Sequence, residues 1–254
     1  MKKLYKIIGL MMIKNEDRFV ATALEKALPF VDHMIVLDTG SCDETIYKIT
    51  PLLASARCSS EVHIGVDLID THDFVQPYIG KPIWLFGVDG DEIYDTVGLM
   101  RIRKRLLAGV YEAVHQIRGW YVHVESDNVS QESDRRTVQG YFGPPAPSHT
   151  KLYNCANILK WPNDHTAGVF DCDTRETAKA AVSFVESKTW SESQLRCIHM
   201  KRLIRSSLQN SQSFKRSPKE TITNTEDDSA RYVIGVRAYV DFDTFESIGY
   251  DYDL

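Results

Sequence analysis

The feature that most constrains the fold is a series of four short apolar runs in the first 90 residues, each ending at polar or acidic residues. Runs of this length and character are typical of strands buried on both faces of a parallel sheet. They cover residues 5–13, 33–37, 61–66 and 82–88. Two stretches with helical periodicity, residues 16–28 and 41–53, separate the first three runs. This alternation predicts an α/β fold with a mostly parallel, twisted sheet flanked by helices.

Polar residues at the ends of the runs predict how each helix begins and where a ligand binds. Asn15 is a candidate N-cap of the first helix, and Ser41-Cys42-Asp43-Glu44 fits a capping box for the second. In open parallel sheets, ligands bind outside the carboxyl ends of the strands. Because Asn15, Asp38 and the pair Asp89 and Asp91 lie at or just past such ends, we expect a ligand site there.

The second half of the chain has a less regular pattern. It predicts a basic helix over 96–107, a strand over 119–124, a polar loop over 125–137 and a strand near 231–242. The polar, Ser- and Thr-rich stretch that starts at residue 206 suggests a boundary. We expect one domain over residues 1–205 and a C-terminal extension over 206–254 that packs on or beside it.

The composition of the 254 residues, 43% hydrophobic and 26% charged, excludes a disordered chain, a collagen-like fibre and a small disulfide scaffold. No apolar run approaches the roughly 20 residues that span a bilayer, so no stable membrane insertion is expected. Lys6 interrupts the N-terminal apolar stretch, and no small-residue cleavage site follows it. The five cysteines form no C-x-x-C pair. These features predict a cytoplasmic protein with free thiols.

The formal net charge of −5 is unevenly distributed. Residues 196–219 contain seven basic and no acidic side chains, whereas residues 220–254 contain nine acidic side chains and two arginines. The basic block either holds a phosphate-rich ligand or forms a solvated face neutralised by the acidic tail. The negative total disfavours general nucleic-acid binding, which depends on phosphate neutralisation.

The sharpest local motif is Asp89-Gly90-Asp91, directly after an apolar strand. Two carboxylates at a strand end can bind one divalent cation, because Mg²⁺ and Mn²⁺ prefer oxygen ligands and share their other positions with phosphate oxygens. The alternative is an acidic turn that caps the next helix. The position of the motif, at the same sheet edge as Asn15 and Asp38, favours the cation site.

Three sequence blocks together resemble a known family. They are IKNED at residues 13–17, IVLDTGSCDET at 35–45 and LFGVDGDE at 85–92. In this order and at these intervals they are similar to the motifs of family-2-type GT-A glycosyltransferases, which use nucleotide-sugar donors. A fourth block, at 149–165, is similar to a bacterial branch that includes lipopolysaccharide-core and peptide glycosyltransferases. The resemblance covers residues 4–165 and implies a GT-A, Rossmann-like sheet with a C-terminal extension.

The resemblance implies several residues that bind the nucleotide-sugar. Asn15 and Asp38 would lie under the nucleotide, with Asp38 accepting hydrogen bonds from the base or the ribose. Asp43 would cap a helix beside the same pocket, and a purely structural capping role is the alternative. Near the C-terminus, Lys201 or Arg202 would hold the diphosphate.

The resemblance also implies a Mn²⁺ or Mg²⁺ cofactor and a catalytic base. Asp91 would bind the metal directly, Asp89 would contact the ribose or the metal, and His199 would add a ligand to the metal or the diphosphate. An inverting transfer needs a base that removes the proton of the acceptor hydroxyl. The candidate bases are Asp164 and His165, with Asp127 as the alternative. This sequence reads Asp-His-Thr where the family branch has His-Glu.

These observations predict a metal-dependent, inverting hexosyltransferase that uses a UDP-sugar and a hydroxyl or thiol acceptor on a glycan, a protein or a modified nucleic acid. One alternative is a non-catalytic protein of the same fold that binds nucleotide-sugars or nucleic acid. Another is a nucleotidyltransferase, which would normally have a Gly-rich phosphate loop after the first strand, and residues 14–17 contain no glycine.

Overall fold

The fold is known from a computed structural model. It describes residues 4–67, 71–130, 137–143, 150–161, 173–174, 184–185, 189–200, 203–208 and 236–252. The strands are β1 Lys6–Ile13, β2 His33–Asp38, β3 Ser59–Ile64, β4 Ile83–Asp89, β5 Glu92–Tyr94, β6 Gln116–Arg118, β7 Trp120–Ser130, β8 Thr137–Gly143, β9 Thr150–Asn154, β10 Ile158–Lys160, β11 Asp173–Thr174, β12 Phe184–Val185, β13 Arg196–His199, β14 Val236–Asp241 and β15 Ser247–Tyr252. The α-helices are α1 Val20–Ala27, α2 Thr45–Ser55, α3 Thr71–Val75 and α4 Thr96–Leu107, and short 3-10 turns cover Leu28–Phe30, Gln76–Tyr78 and Cys155–Asn157.

The central sheet has seven strands in the order β12-β6-β9-β4-β1-β2-β3. β9 runs antiparallel to both of its neighbours, and the other pairs are parallel. The sheet is flanked by helices, so the predicted α/β class is confirmed. Among the described residues, no helix has the length and hydropathy needed to cross a bilayer.

Apolar residues of β1 are buried on both faces of this sheet, which explains the continuous apolar run. Ile7 and Met11 join a large core that also contains residues of α1, α2 and α4. Ile8 and Leu10 join a smaller core with Val75 of α3 on the opposite face. A strand covered on both sides has no solvent face, so its sequence shows no polar alternation.

The register of the central strands places the polar strand ends side by side. Ile13 at the end of β1 is level with Asp38 of β2, and Met12 is level with Asp89 of β4. The segments that follow β4, β1 and β2 therefore leave the sheet at the same carboxyl edge.

A second sheet of six strands has the order β15-β14-β8-β7-β13-β5. β5 begins directly after Asp91, and β13 pairs antiparallel with it, so that His199 is level with Glu92. This pairing brings a residue from late in the chain to the end of β4.

Several local predictions are corrected by the structure. Residues 125–130, predicted as loop, continue β7, which pairs with β8. Asn15 is not an N-cap, because α1 begins at Val20 and Phe19 holds the cap position. Ser41 does not cap α2, because that helix begins at Thr45 with Glu44 at the cap position, and Ser41 hydrogen-bonds Asp38. The expected domain boundary near residue 205 stays a prediction.

Candidate active site

The loop after β2 is held by the carboxylate at the end of that strand. Asp38 is fully buried and accepts hydrogen bonds from the backbone N–H of Gly40 at 3.3 Å and of Ser41 at 3.1 Å, and from the Ser41 hydroxyl. Gly40 has a φ of 101°, a conformation that residues with a side chain rarely adopt. Asp38 therefore fixes the turn over residues 38–41 at the carboxyl edge of the sheet.

Asn15 joins the loops that follow β1 and β2. Its backbone N–H donates to the Ser41 hydroxyl at 2.9 Å, and its side-chain Oδ1 accepts from the Cys42 N–H at 2.8 Å. The φ of Asn15 is 54°, in the left-handed region, which asparagine tolerates better than most residues. Two hydrogen bonds from one strained residue hold the loops together at the predicted site.

Asp43 lies at the start of α2 and has two kinds of partner. Its Oδ1 accepts from the Thr45 N–H at 3.0 Å, which satisfies a free donor of the first helical turn. Its Oδ2 accepts from the hydroxyl of Ser206 at 2.6 Å, a residue 163 positions later in the chain. Asp43 thus combines the predicted capping contact with a contact to the C-terminal part of the chain.

Asp91 is the centre of a buried cluster of charges. It is 1% exposed. Its Oδ2 accepts from Nη1 of Arg205 at 2.9 Å, and its Oδ1 lies 3.5 Å from Nε2 of His199. The same Nη1 donates to Oε1 of the buried Glu16 at 2.9 Å. A cation from the C-terminal part of the chain therefore bridges carboxylates that follow β1 and β4.

Gly90 lets this cluster form. A Cβ at position 90 would lie 2.0 Å from Oε2 of Glu16 and 3.0 Å from Cγ2 of Ile13. A residue larger than glycine would push Glu16 away from its partner, so the middle position of the Asp-Gly-Asp motif is needed for close packing.

The charged groups of this cluster shift each other's pKa values. Burial raises the pKa of the Asp91 carboxyl, but the charges of His199 and Arg205 outweigh burial and hold the pKa below its usual range. Burial lowers the pKa of His199, and the charge of Asp91 outweighs it and raises the pKa. The charges of Asp91, Glu16 and Asp89 likewise raise the pKa of Arg205 against the effect of burial. Asp91 is therefore an ionised carboxylate between the Arg205 guanidinium and an imidazole whose pKa it raises.

Segment Leu203–Leu208 lies across the acidic loops at the carboxyl edge. Besides the contacts of Arg205 and Ser206, the N–H and hydroxyl of Ser207 both donate to the carboxylate of Asp17. The N–H of Arg18 donates to the carbonyl of Arg205 at 3.1 Å. Sequence reasoning missed Glu16, Asp17, Arg205, Ser206 and Ser207 as site residues. The IKNED block and the basic block over 196–219 contain all five of them, but neither pattern indicates that they meet.

Not all of the predicted site residues can be placed. The structure brings together Asn15, Asp38, Asp43, Asp91 and His199 at one edge, with Asp89 half-buried at the end of β4. Asp164, His165, Lys201 and Arg202 lie outside the described residues, and for Asp127 only the backbone, in β7, is described. The identity of the base thus stays a prediction.

The residues present fit a divalent cation with few protein ligands. Within the described ranges, no group of three or more His, Cys, Asp or Glu side chains converges as a full metal cage. Mg²⁺ at phosphate sites commonly uses one or two carboxylates and completes its shell with water and phosphate oxygens. Oδ1 of Asp91 and Nε2 of His199, 3.5 Å apart, provide a carboxylate and an imidazole ligand on one side of such an ion. Oδ1 is buried without a hydrogen bond from the part of the chain that the structure describes.

Comparisons with known proteins support the fold. No protein-family profile matches the chain, and no curated protein sequence matches it. Among solved structures, a fragment of S. aureus TarS, a GT-A-type teichoic acid glycosyltransferase, matches with a TM-score of 0.50 and 12% identity over 77% of this chain. The same fragment in complex with UDP matches with a TM-score of 0.48 and 11% identity over 76% of this chain. In both comparisons the match spans 60% of the TarS fragment. The chain thus shares the α/β fold of a GT-A-type enzyme, as the sequence blocks predict.

Proposed function

We propose that the chain transfers a sugar from a nucleotide diphosphate donor, UDP-linked by preference, to a hydroxyl or thiol acceptor. The observation that carries the proposal is the buried carboxylate of Asp91 at the carboxyl edge of the parallel sheet, with His199 delivered to it by β13. In open α/β sheets this edge is where nucleotide ligands bind. The shared GT-A-type fold makes sugar transfer the chemistry that best suits this placement.

The proposed roles follow from the positions of the side chains. Asp91 and His199 would hold a Mn²⁺ or Mg²⁺ ion, with Asp89 at the adjacent strand end. When bound, such an ion neutralises the diphosphate and stabilises the leaving group. The loops joined by Asn15 and Asp38 would line the nucleotide side of the site.

The second half of the reaction requires a base and a holder for the diphosphate. We assign the base to Asp164 or His165, which would take the proton of the acceptor as it attacks. The acceptor would form its bond to the sugar carbon as the bond to the nucleotide diphosphate breaks, and this single displacement inverts that carbon. Lys201 would hold the diphosphate oxygens. Replacing Asp164 or His165 by an uncharged residue should lower transfer while leaving UDP affinity unchanged.

The central experiment compares Asp91→Asn with Asp73→Asn. Asp73 is an exposed aspartate in α3, so its substitution is a matched control for the loss of one carboxylate. We expect Asp91→Asn to lower hydrolysis of the preferred UDP-sugar by about 100-fold or more, the scale seen when one preorganised stabilising group is removed. Asp73→Asn should retain wild-type turnover. Unchanged turnover in Asp91→Asn would contradict the proposal.

Calorimetry with UDP separates binding from turnover. UDP with Mn²⁺ should bind, and EDTA should abolish the binding. Binding that does not depend on metal would contradict the assignment of Asp91 and His199 as metal ligands. Binding of UDP-sugars without any turnover would favour the non-catalytic alternative.

A further inference from the structure

Arg205 occupies the place in the acidic cluster where a bound cation would act. Its Nη1 donates to Asp91 and to Glu16, both at 2.9 Å, and its side chain is 18% exposed. The two carboxylates are almost fully buried, with 1% and 6% of their side chains exposed. Two carboxylates buried side by side are stabilised by a cation between them, because little water reaches them to offset their charge.

The segment that carries Arg205 is fastened to the same edge by its neighbours. Ser206 binds Asp43, and Ser207 binds Asp17 through its N–H and its hydroxyl. Each of the three consecutive residues thus contacts a carboxylate of the loops that follow β1, β2 or β4. Together they cover the edge at which the donor would bind.

A divalent cation at Asp91 would compete with the guanidinium of Arg205 for the charge of one carboxylate. Oδ1 of Asp91 faces His199, and Oδ2 of the same carboxylate holds Arg205. An ion on Oδ1 would stand within a few ångströms of a second positive charge, in a site where burial weakens solvent screening. The bound ion would also neutralise the Asp91 carboxylate, which Arg205 neutralises in the metal-free protein.

We propose that Arg205 is the internal counter-ion of the metal-free site, and that a divalent cation bound at Asp91 displaces it and releases segment Leu203–Leu208 from the carboxyl edge. This displacement of Arg205 rests on the metal site of the proposed function. In the metal-free protein the segment protects the acidic cluster, and in the loaded protein it opens the edge to the diphosphate. The guanidinium is then free to bind phosphate oxygens, which its planar array of donors suits.

Hydrogen exchange tests the displacement directly. In the full chain with EDTA, the amides of Ser207 and Leu208 should be protected, because they donate to Asp17 and to Ser206. Addition of MnCl₂, alone and with UDP, should speed their exchange by about 10-fold or more. If Mn²⁺ binds and the amides stay as protected or become more protected, the proposed displacement of Arg205 is wrong, although the metal site stands. If calorimetry detects no Mn²⁺ binding with or without UDP, the metal part of the proposed function is wrong as well.

Variants of Arg205 give a second readout. Arg205→Lys keeps the charge on a side chain that is one bond shorter than the arginine at Nη1, so its contacts with the two carboxylates should weaken. Mn²⁺ should therefore bind it several-fold more tightly than the wild type, and Arg205→Ala more tightly still. The matched control is Arg196→Ala, which removes an arginine from another buried carboxylate, Asp95, away from the carboxyl edge. Both alanine variants should melt at lower temperature in EDTA, but Mn²⁺ should restore only Arg205→Ala. If Arg205→Lys binds Mn²⁺ no more tightly than the wild type, displacement is excluded even when Arg205→Ala fails to fold.

Discussion

Two tyrosines form a buried polar contact where the two sheets meet. The hydroxyls of Tyr94 and Tyr121 lie 2.8 Å apart, and the Tyr94 hydroxyl also donates to Oε2 of Glu92 at 3.3 Å. Each tyrosine is 1% exposed. Burial first, and then the charge of Glu92, raises the pKa of both phenols well above the usual value. The folded protein therefore strongly disfavours either tyrosinate.

The raised pKa values predict how stability changes at alkaline pH. The unfolded chain loses the phenol protons near pH 10 while the folded chain keeps them, so the two tyrosines contribute stability below pH 10 that is lost as pH rises above it. The double variant Tyr94→Phe/Tyr121→Phe should lose about 2.5 kcal/mol less than the wild type between pH 9.5 and 11, about half of it from each phenol. Urea denaturation at several pH values measures this difference. Tyr47→Phe, at a 79% exposed tyrosine, should follow the wild type, and parallel curves for all three proteins would contradict the prediction.

At the scale of single residues, the sequence predicted polar strand ends but not their partners. Asn15, Asp38, Asp43 and Asp91 lie at or after the ends of strands that the local pattern predicts, and the carboxyl ends of parallel strands share one edge of the sheet. Arg205 is 189 positions from Glu16 and 114 from Asp91. Contacts between residues so far apart in the sequence depend on where the second sheet places the chain, and the local periodicity of the sequence does not indicate that placement.

Helix α4 shows how one residue can connect an element to the rest of the molecule. Asp95 is its N-cap and accepts from the Val97 N–H at 3.0 Å. Its other oxygen pairs with Arg196 of β13 at 2.5 Å, and Arg196 also donates to the Phe245 carbonyl. The start of α4 is thereby joined to the second sheet.

This double contact predicts a graded response to substitution at Asp95. Asp95→Asn keeps an oxygen that can cap the helix but removes the charge, so it should cost about 1–2 kcal/mol. Asp95→Ala loses the cap and leaves a largely buried arginine without its carboxylate, so it should cost about 3–5 kcal/mol. Chemical denaturation measures both free energies of unfolding. Equal losses in the two variants would show that only the ion pair matters.

At the scale of elements, regular patterns were predictable and exceptions were not. The predicted helix over 96–107 coincides with α4, because its apolar residues recur at helical spacing and Asp95 supplies a cap. The start of α1 was misplaced because Asn15 adopts a left-handed conformation imposed by its contacts with the loop after β2. The polar stretch over 125–130 becomes strand because β8 supplies its hydrogen-bond partners, which sequence polarity does not record.

Across the whole molecule, one hydrophobic core connects the two sheets. Ile7 of β1 and Trp84 of β4 belong to the same buried cluster as Val240 of β14 and Phe245 of the turn that follows it. Trp190 stacks on the Phe245 ring and donates from Nε1 to the Phe245 carbonyl at 2.9 Å. The C-terminal hairpin is thus part of the main core, although it follows the polar, charged segment that the sequence suggested as a boundary.

A shared core predicts that this hairpin unfolds together with the central sheet. Phe245→Ala should lower the free energy of unfolding by about 3–5 kcal/mol, because it empties a fully buried ring site. Far-UV circular dichroism and tryptophan fluorescence should still give coincident urea transitions, since Trp84 and Trp190 report on both sheets of one cooperative unit. Leu159→Ala, at a leucine that is 56% exposed, should change stability by less than about 0.5 kcal/mol. A fluorescence transition that precedes the loss of secondary structure in Phe245→Ala would mean that the hairpin unfolds independently, and the core would then consist of two separately stable parts.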